Sequence, residues 1–158
     1  MSDEKAESKE NGRTEGLLEN DLAAEIVEVK VPPKSKYLPL LRAAVGVVAG
    51  GLALDYDEIL ELRVAVSEAF GLVIRHIDRD DTLDESTEIV TAFVIASDRL
   101  VVLVSDPGYR PGNIGDSEEI ESRVVLESLV DSVEMGAEVR GHRVIRLVKR
   151  RPTEEELL

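Results

Sequence analysis

The run LRVAVSEAFGLVIRH, Leu62 to His76, lies in a helix that is apolar almost all round, and its reading decides the fold. Asp55 and Glu58 have capping-box spacing, with Asp in place of the usual Ser or Thr, so the helix is expected from Asp55 to about His76. Ile59, Leu62, Val66, Ala69 and Val73 fall on one side, and Leu60, Val64 and Gly71 on another. Such a helix is expected to be buried centrally. A lone carboxylate, Glu68, stands in its middle. Desolvation there calls for a partner or a water-filled pocket, unless Glu68 lies at a wet edge of the helix.

Upstream, Ile26, Val27, Val29 and Val31 are interleaved with Glu25, Glu28 and Lys30, roughly the alternation of a half-buried strand, which Pro32 and Pro33 end. Ser35 is the expected N-cap of a helix to about Val48, its stripe formed by Leu38, Leu41, Ala44, Val45 and Val48, with Gly50 and Gly51 as the stop. Downstream, residues 77 to 86 are charged and read as an exposed connection. Glu88 to Ala96 and Leu100 to Val104 are β-rich runs joined by Ser97-Asp98-Arg99, a hairpin. A Gly- and Pro-rich loop, Asp106 to Gly115, leads to a third helix opened by Ser117 with Glu118, with Ile120, Val124, Leu126 or Glu127, Leu129 and Val130 on its expected stripe. Val133 to Val139 and Val144 to Val148 form a last strand pair around Gly141.

Strand, helix, helix, hairpin, helix, hairpin is the order of an α+β chain. It predicts a two-layer sandwich: a mixed, mostly antiparallel sheet of about five strands, covered on one face by three helices. The other face is left partly solvated or free for contacts. Residues 1–22 mix Ser, Lys, Glu, Asn and Gly without apolar periodicity and read as a flexible acidic leader; 23–150 form the domain and 151–158 a polar tail.

The 158 residues suffice for one domain with a real core, 43% of them being hydrophobic. Nineteen Lys and Arg against 33 Asp and Glu give a net charge of −14, which disfavours a nucleic-acid partner and an anionic membrane surface. Absence of Cys removes disulfides, thiolate metal sites and Cys nucleophiles. No apolar stretch reaches signal-peptide or membrane-span length, so a cytoplasmic location is expected. Aromatics at 3%, without Trp, make a base-stacking platform a poor expectation. Ser67 has no His placed to activate it, and Asp78 to Glu88 lacks the ordered oxygen spacing of a calcium loop.

The central helix resembles the N-box of the anti-sigma factor serine kinases, a small bacterial branch of the histidine-kinase-type (GHKL, Bergerat-fold) ATPases, with the pattern LxxAVxEAxxNAxxH. Leu62, Ala65, Val66, Glu68, Ala69 and His76 occupy matching positions. The resemblance implies that Glu68 is the catalytic general base or water-positioning group. Leu72 stands where the family has its magnesium-ligating Asn. It offers no oxygen to a hard cation, so no metal site is expected. In place of the family's DxGxG loop stands Asp106-Pro107-Gly108-Tyr109-Arg110, with Arg110 where the second glycine belongs. Asp106 and Gly108 are what the resemblance assigns to nucleotide binding, as remains of that site. The phosphate-cradling GxGL turn aligns with Ile120-Glu121-Ser122, where side chains and a carboxylate replace bare backbone, and Gly141-His142-Arg143-Val144 resembles the terminal GTxV hairpin. His76 is expected to meet carbonyls or the dipole at its helix end, and His142 to lie by a turn, neither ligating metal.

What this implies is a stress-response regulator that sequesters a sigma factor and is released by an anti-anti-sigma (STAS-type) partner, a homodimer with weak or lost ATP binding and no cofactor. The alternative is an active ATP- and Mg²⁺-dependent serine kinase acting on its antagonist, with Glu61 as the candidate for the missing oxygen. A pocket for another small ligand is a third reading.

Overall fold

The computed structural model describes residues 25–111, 117–153 and 155–158. The expected leader, residues 1–22, lies outside them. Strand β1 spans Glu25–Val31, helix α1 Leu38–Ala49, helix α2 Tyr56–Asp78, strands β2 Ile89–Ile95 and β3 Arg99–Ser105, helix α3 Ser117–Leu129, and strands β4 Ser132–Val139 and β5 His142–Arg150.

Local chemistry explains most of these boundaries. Asp55 accepts from the Glu58 amide at 2.8 Å while the Glu58 carboxylate accepts from the Asp55 amide, so the capping box forms as its spacing predicts. Ser35 does not cap α1. It opens a 3-10 turn, Ser35–Tyr37, and α1 starts after it with Pro39 in its first turn, where a missing N–H removes no helical bond. Gly50 ends α1 at φ −60°, and the left-handed residue of the link is Ala53 at φ 58°.

The sheet has the order β1-β2-β3-β5-β4, and all four pairings are antiparallel, so the expected mixture of directions is absent among the described strands. β4 and β5 turn through Arg140 and Gly141, both at positive φ, 50° and 76°, the conformation a two-residue hairpin loop with matching twist requires. All three helices cover one face: Leu41 and Val45 of α1, Leu62, Val66 and Phe70 of α2 and Leu126 of α3 share one core with Ile89, Phe93, Val102 and Leu147 of the sheet. The opposite face carries a second, smaller apolar cluster around Val94, Val101, Leu103 and Val144.

Two expected faces are corrected. Leu60 and Val64 are 45% and 47% exposed, so α2 is not buried all round. α1 and α3 pack along it and the sheet lies beneath, which leaves this stripe on the outside. On α3, Ile120 and Val124 are 51% and 61% exposed, while Ser122, Leu126 and then Val130 are buried. Leu126, Leu129 and Val130 of the expected stripe thus face the core, and its first two members do not: Ser122, four residues before Leu126, takes the inward position, about 200° around the helix from Ile120 and Val124. No described helix is long and apolar enough to cross a membrane.

Candidate functional site

Glu68 has the partner that its position demands. Ser122 of α3 donates its hydroxyl to Glu68 Oε1 at 2.7 Å, and Arg75, seven residues along α2, donates to Ser122 Oγ at 3.1 Å. The Arg75 guanidinium is also 3.8 Å from Glu68 Oε1. Farther along, Arg75 and Arg79 both reach Glu118 Oε2, at 3.9 and 2.5 Å. Residues spaced three, four or seven apart share a helical face, so the two helices meet along a polar ladder of Glu68, Ser122, Arg75, Glu118 and Arg79. Glu68 keeps a third of its side-chain surface exposed and Ser122 almost none. A carboxylate so held is oriented, and one of its oxygens is already engaged.

Asp106 is placed differently. Its carboxylate is buried, and both oxygens lie 2.9–3.0 Å from Nδ1 of the buried His76 ring. A carboxylate only accepts, so the proton of this bond resides on Nδ1. His76 is therefore not the helix-end cap expected of it: it ties the end of α2 to the end of β3. That contact lies about 12 Å along α2 from Glu68, eight residues at the helical rise. The Asp106 amide is fixed as well, donating to the Arg143 carbonyl at 2.8 Å. Gly108 serves the same junction. A Cβ there would stand 2.6 Å from the His76 carbonyl carbon and oxygen, so only glycine lets the loop press against the helix end. Tyr109 completes it, edge-on to His76 with ring centroids 6.5 Å apart, beneath the Arg143 guanidinium and over Gly136 at φ 66°.

Leu72 is 2% exposed and belongs to the main core. Ile120, Glu121 and Ser122 lie within α3 and not in a turn before it, and residues 112–116 are outside the described part. Arg110, at the missing glycine, pairs with Asp80 across the mouth of the loop. The Thr82 hydroxyl and amide hold the Asp80 carboxyl below its ordinary 3.8, with a smaller contribution from Arg110 against the effect of burial. Ser86 does the same for Asp84, the chemistry of a solvated turn. Among the described residues no three His, Cys, Asp or Glu converge as metal ligands. Next to α3, a hollow of about 120 Å³ lined by Tyr109, Ile120, Arg123 and Met135 falls below the size of a typical small-molecule site. His142 is exposed beside the Arg140-Gly141 turn, as expected.

The structure thus brings Glu68 to Ser122 and Asp106 to His76, and buries Leu72. Ser122, Arg75 and Tyr109 escaped the sequence reading. Ser122 left one usable signal: it is the polar member of the series 122, 126, 129, 130, the spacing that turns out to face the core.

Residues 31–149 match the family model described as the histidine kinase-like ATPase domain. The chain belongs to the histidine kinase-like ATPase family. Within that family it falls in the anti-sigma serine kinase branch. It is 35% identical over 126 residues to the serine-protein kinase RsbW of Bacillus subtilis (strain 168), an alignment covering 70% of this chain and 77% of that protein. The serine-protein kinase RsbW of Bacillus cereus (strain Q1) is 32% identical over 84 residues, 53% of this chain and 50% of that one. A crystal structure of the RsbU and RsbW domains of Rv1364c from Mycobacterium tuberculosis shares the fold, with a TM-score of 0.60 over 82% of this chain and 34% of that chain at 17% identity.

Proposed function

We propose that this histidine kinase-like ATPase family member works as a binding regulator: it sequesters a sigma factor, is released by a STAS-type antagonist, and has weak or lost ATP binding. The observation that carries the reading is the side chain at the family's magnesium position. Leu72 has no oxygen and is packed into the core. Three further placements support it. Ser122 occupies an oxygen of Glu68, Asp106 has both oxygens on His76, and the residues aligned with the phosphate turn lie inside a helix with their side chains in place. A magnesium-bound triphosphate needs hard oxygen ligands and bare backbone amides, and the residues described do not fit it. A cytoplasmic homodimer, joined through a sheet face or edge, belongs to the same proposal.

The test is direct recovery of the partner. The full chain, mixed at physiological salt with the sigma factors and STAS-type proteins of its own cell, is expected to retain one of each class, and recovery of neither defeats the proposal. Glu68→Ala and the more conservative Glu68→Gln are expected to leave that binding within about threefold, because the binding reading gives the Glu68 carboxylate no part in the partner contact. The kinase relatives favour the second reading, a working serine kinase with Glu68 as base. Titration calorimetry with Mg²⁺-ATP separates the two: saturable heat at micromolar nucleotide selects the kinase, and its absence selects the binding regulator.

A further inference from the structure

The outward side of α3 carries apolar side chains where a solvated helix face would carry polar ones. Ile120 and Val124, one turn apart, are exposed, and so is Val125 next to them. Beside Ile120 opens the hollow of about 120 Å³ against Tyr109 and Met135, with Glu119 and Arg123 at its rim. It has room for one apolar side chain and too little for most metabolites. An exposed apolar stripe that ends in such a hollow has the form of a protein-docking surface, where one or two buried anchors supply most of the energy.

The same end of the molecule is strongly acidic. Residues 117–139, which build α3 and β4, hold seven acids and one Arg. The acidic connection that follows α2 meets the start of α3 there, through Arg79 on Glu118. Glu121 and Glu127, both exposed, flank the stripe on its two sides. Leu40 and Val47 of α1 are exposed apolar residues too, but residues 29 to 54 around them bring four cations and no acid. Charge separates the two surfaces: a cationic partner is drawn to α3 and repelled by α1.

We infer that the outward face of α3 is where the sequestered sigma factor docks. A basic segment of it lies across Ile120 and Val124, with one apolar side chain in the hollow against Tyr109 and Met135 and its cations on Glu121 and Glu127. The inference rests on the binding reading above and names its contact surface. A sigma factor needs a basic surface to hold DNA phosphates and its antagonist does not, so charge selects the sigma factor of the two partners. Docked here, the acidic helix covers cations that would otherwise meet nucleic acid. The face belongs to the helix layer and leaves the outer sheet face open to a second copy.

Titration of the full chain against the sigma factor recovered by the binding test, by calorimetry and stopped-flow mixing, examines the surface directly. Ile120→Ser with Val124→Ser is expected to weaken binding by about a hundredfold, mostly through faster dissociation. Urea unfolding and retention of the STAS-type protein should change little, which shows that the variant is folded. Glu121→Lys with Glu127→Lys is expected to slow association by about tenfold at about 0.1 M salt. Leu40→Ser with Val47→Ser, on the cationic side, should leave affinity within about threefold. Unchanged sigma affinity in the Ile120 and Val124 variant overturns the docking site and leaves the binding reading standing, as does an equal loss from the α1 variant. If sedimentation shows that the Ile120 and Val124 variant changes its oligomeric state while sigma binding persists, the occupant is a second copy and the proposal fails. An unaltered chain that binds no sigma factor defeats the binding reading, and the site with it.

Discussion

Asp106 and His76 form a buried pair whose members lie thirty residues apart in sequence, and each satisfies a polar group that would otherwise be stranded in the interior. Removing one member leaves the other desolvated and alone, a loss of about 3 kcal/mol. Asp106→Ala and His76→Ala are therefore each expected to destabilise the fold by roughly that amount in urea denaturation. The double variant is expected to cost clearly less than the two combined, since nothing is then left unpaired. Additive losses, with no coupling, would mean that the pair is incidental. The sequence exposes only half of this device. Asp106 can be singled out because Asp-Pro-Gly follows a β-rich run, whereas His76 reads locally as a helix-end residue. Its assignment changes because the sheet brings the end of β3 under the end of α2, and no periodicity encodes a contact of that range.

At the scale of the element, α3 shows where pattern reading stops. Its existence and its start at Ser117 were legible, and so was the inward side of its second half, Leu129 and Val130 with Leu126 as one of two alternatives, but the facing of its first half was not. Ile120 and Val124 have helical spacing, and so do Ser122, Leu126 and Val130. Hydrophobicity alone prefers the first set, and the polar ladder to Glu68, Arg75 and Arg79 selects the second by drawing Ser122 against α2. The two facings predict opposite outcomes. Val124→Asp is expected to change stability by no more than about 0.5 kcal/mol, as an exposed substitution does. Leu126→Ala should cost about 2–4 kcal/mol, as the loss of a fully buried leucine does. Thermal or urea unfolding of the two variants checks this, and a costly Val124→Asp would return α3 to the facing its apolar residues suggest. The β-strands, by contrast, were legible to within two residues at each end, the largest difference being β5, expected over Val144 to Val148 and found over His142–Arg150. A strand repeats every second position and its ends are set by local breakers such as Pro32-Pro33 and Arg140-Gly141, so little is left for tertiary contacts to decide.

For the whole molecule, the distribution of charge is as informative as its sum. Residues 29 to 54, which end β1 and build α1, hold four cations and no acid, while the connection from Asp78 to Glu88 holds six acids and one Arg. The molecule is thus polarised, and a cationic partner is steered toward the end of α2 and away from α1. Such steering acts on encounter more than on the final contact, and it is screened as the Debye length shrinks from about 10 Å at 0.1 M salt to about 3 Å at 1 M. With the sigma factor recovered by the binding test, the association rate is expected to fall by about tenfold as salt rises through this range, the dissociation rate changing far less. Asp81→Asn with Glu85→Gln, both exposed in that connection, should reproduce part of the fall at low salt, and Lys34→Gln with Lys36→Gln should have the opposite effect. Stopped-flow kinetics across the salt series measures all three proteins. An association rate indifferent to salt and to both substitutions would show that the acidity of this chain does not guide its partner, and that recognition depends on apolar contact alone.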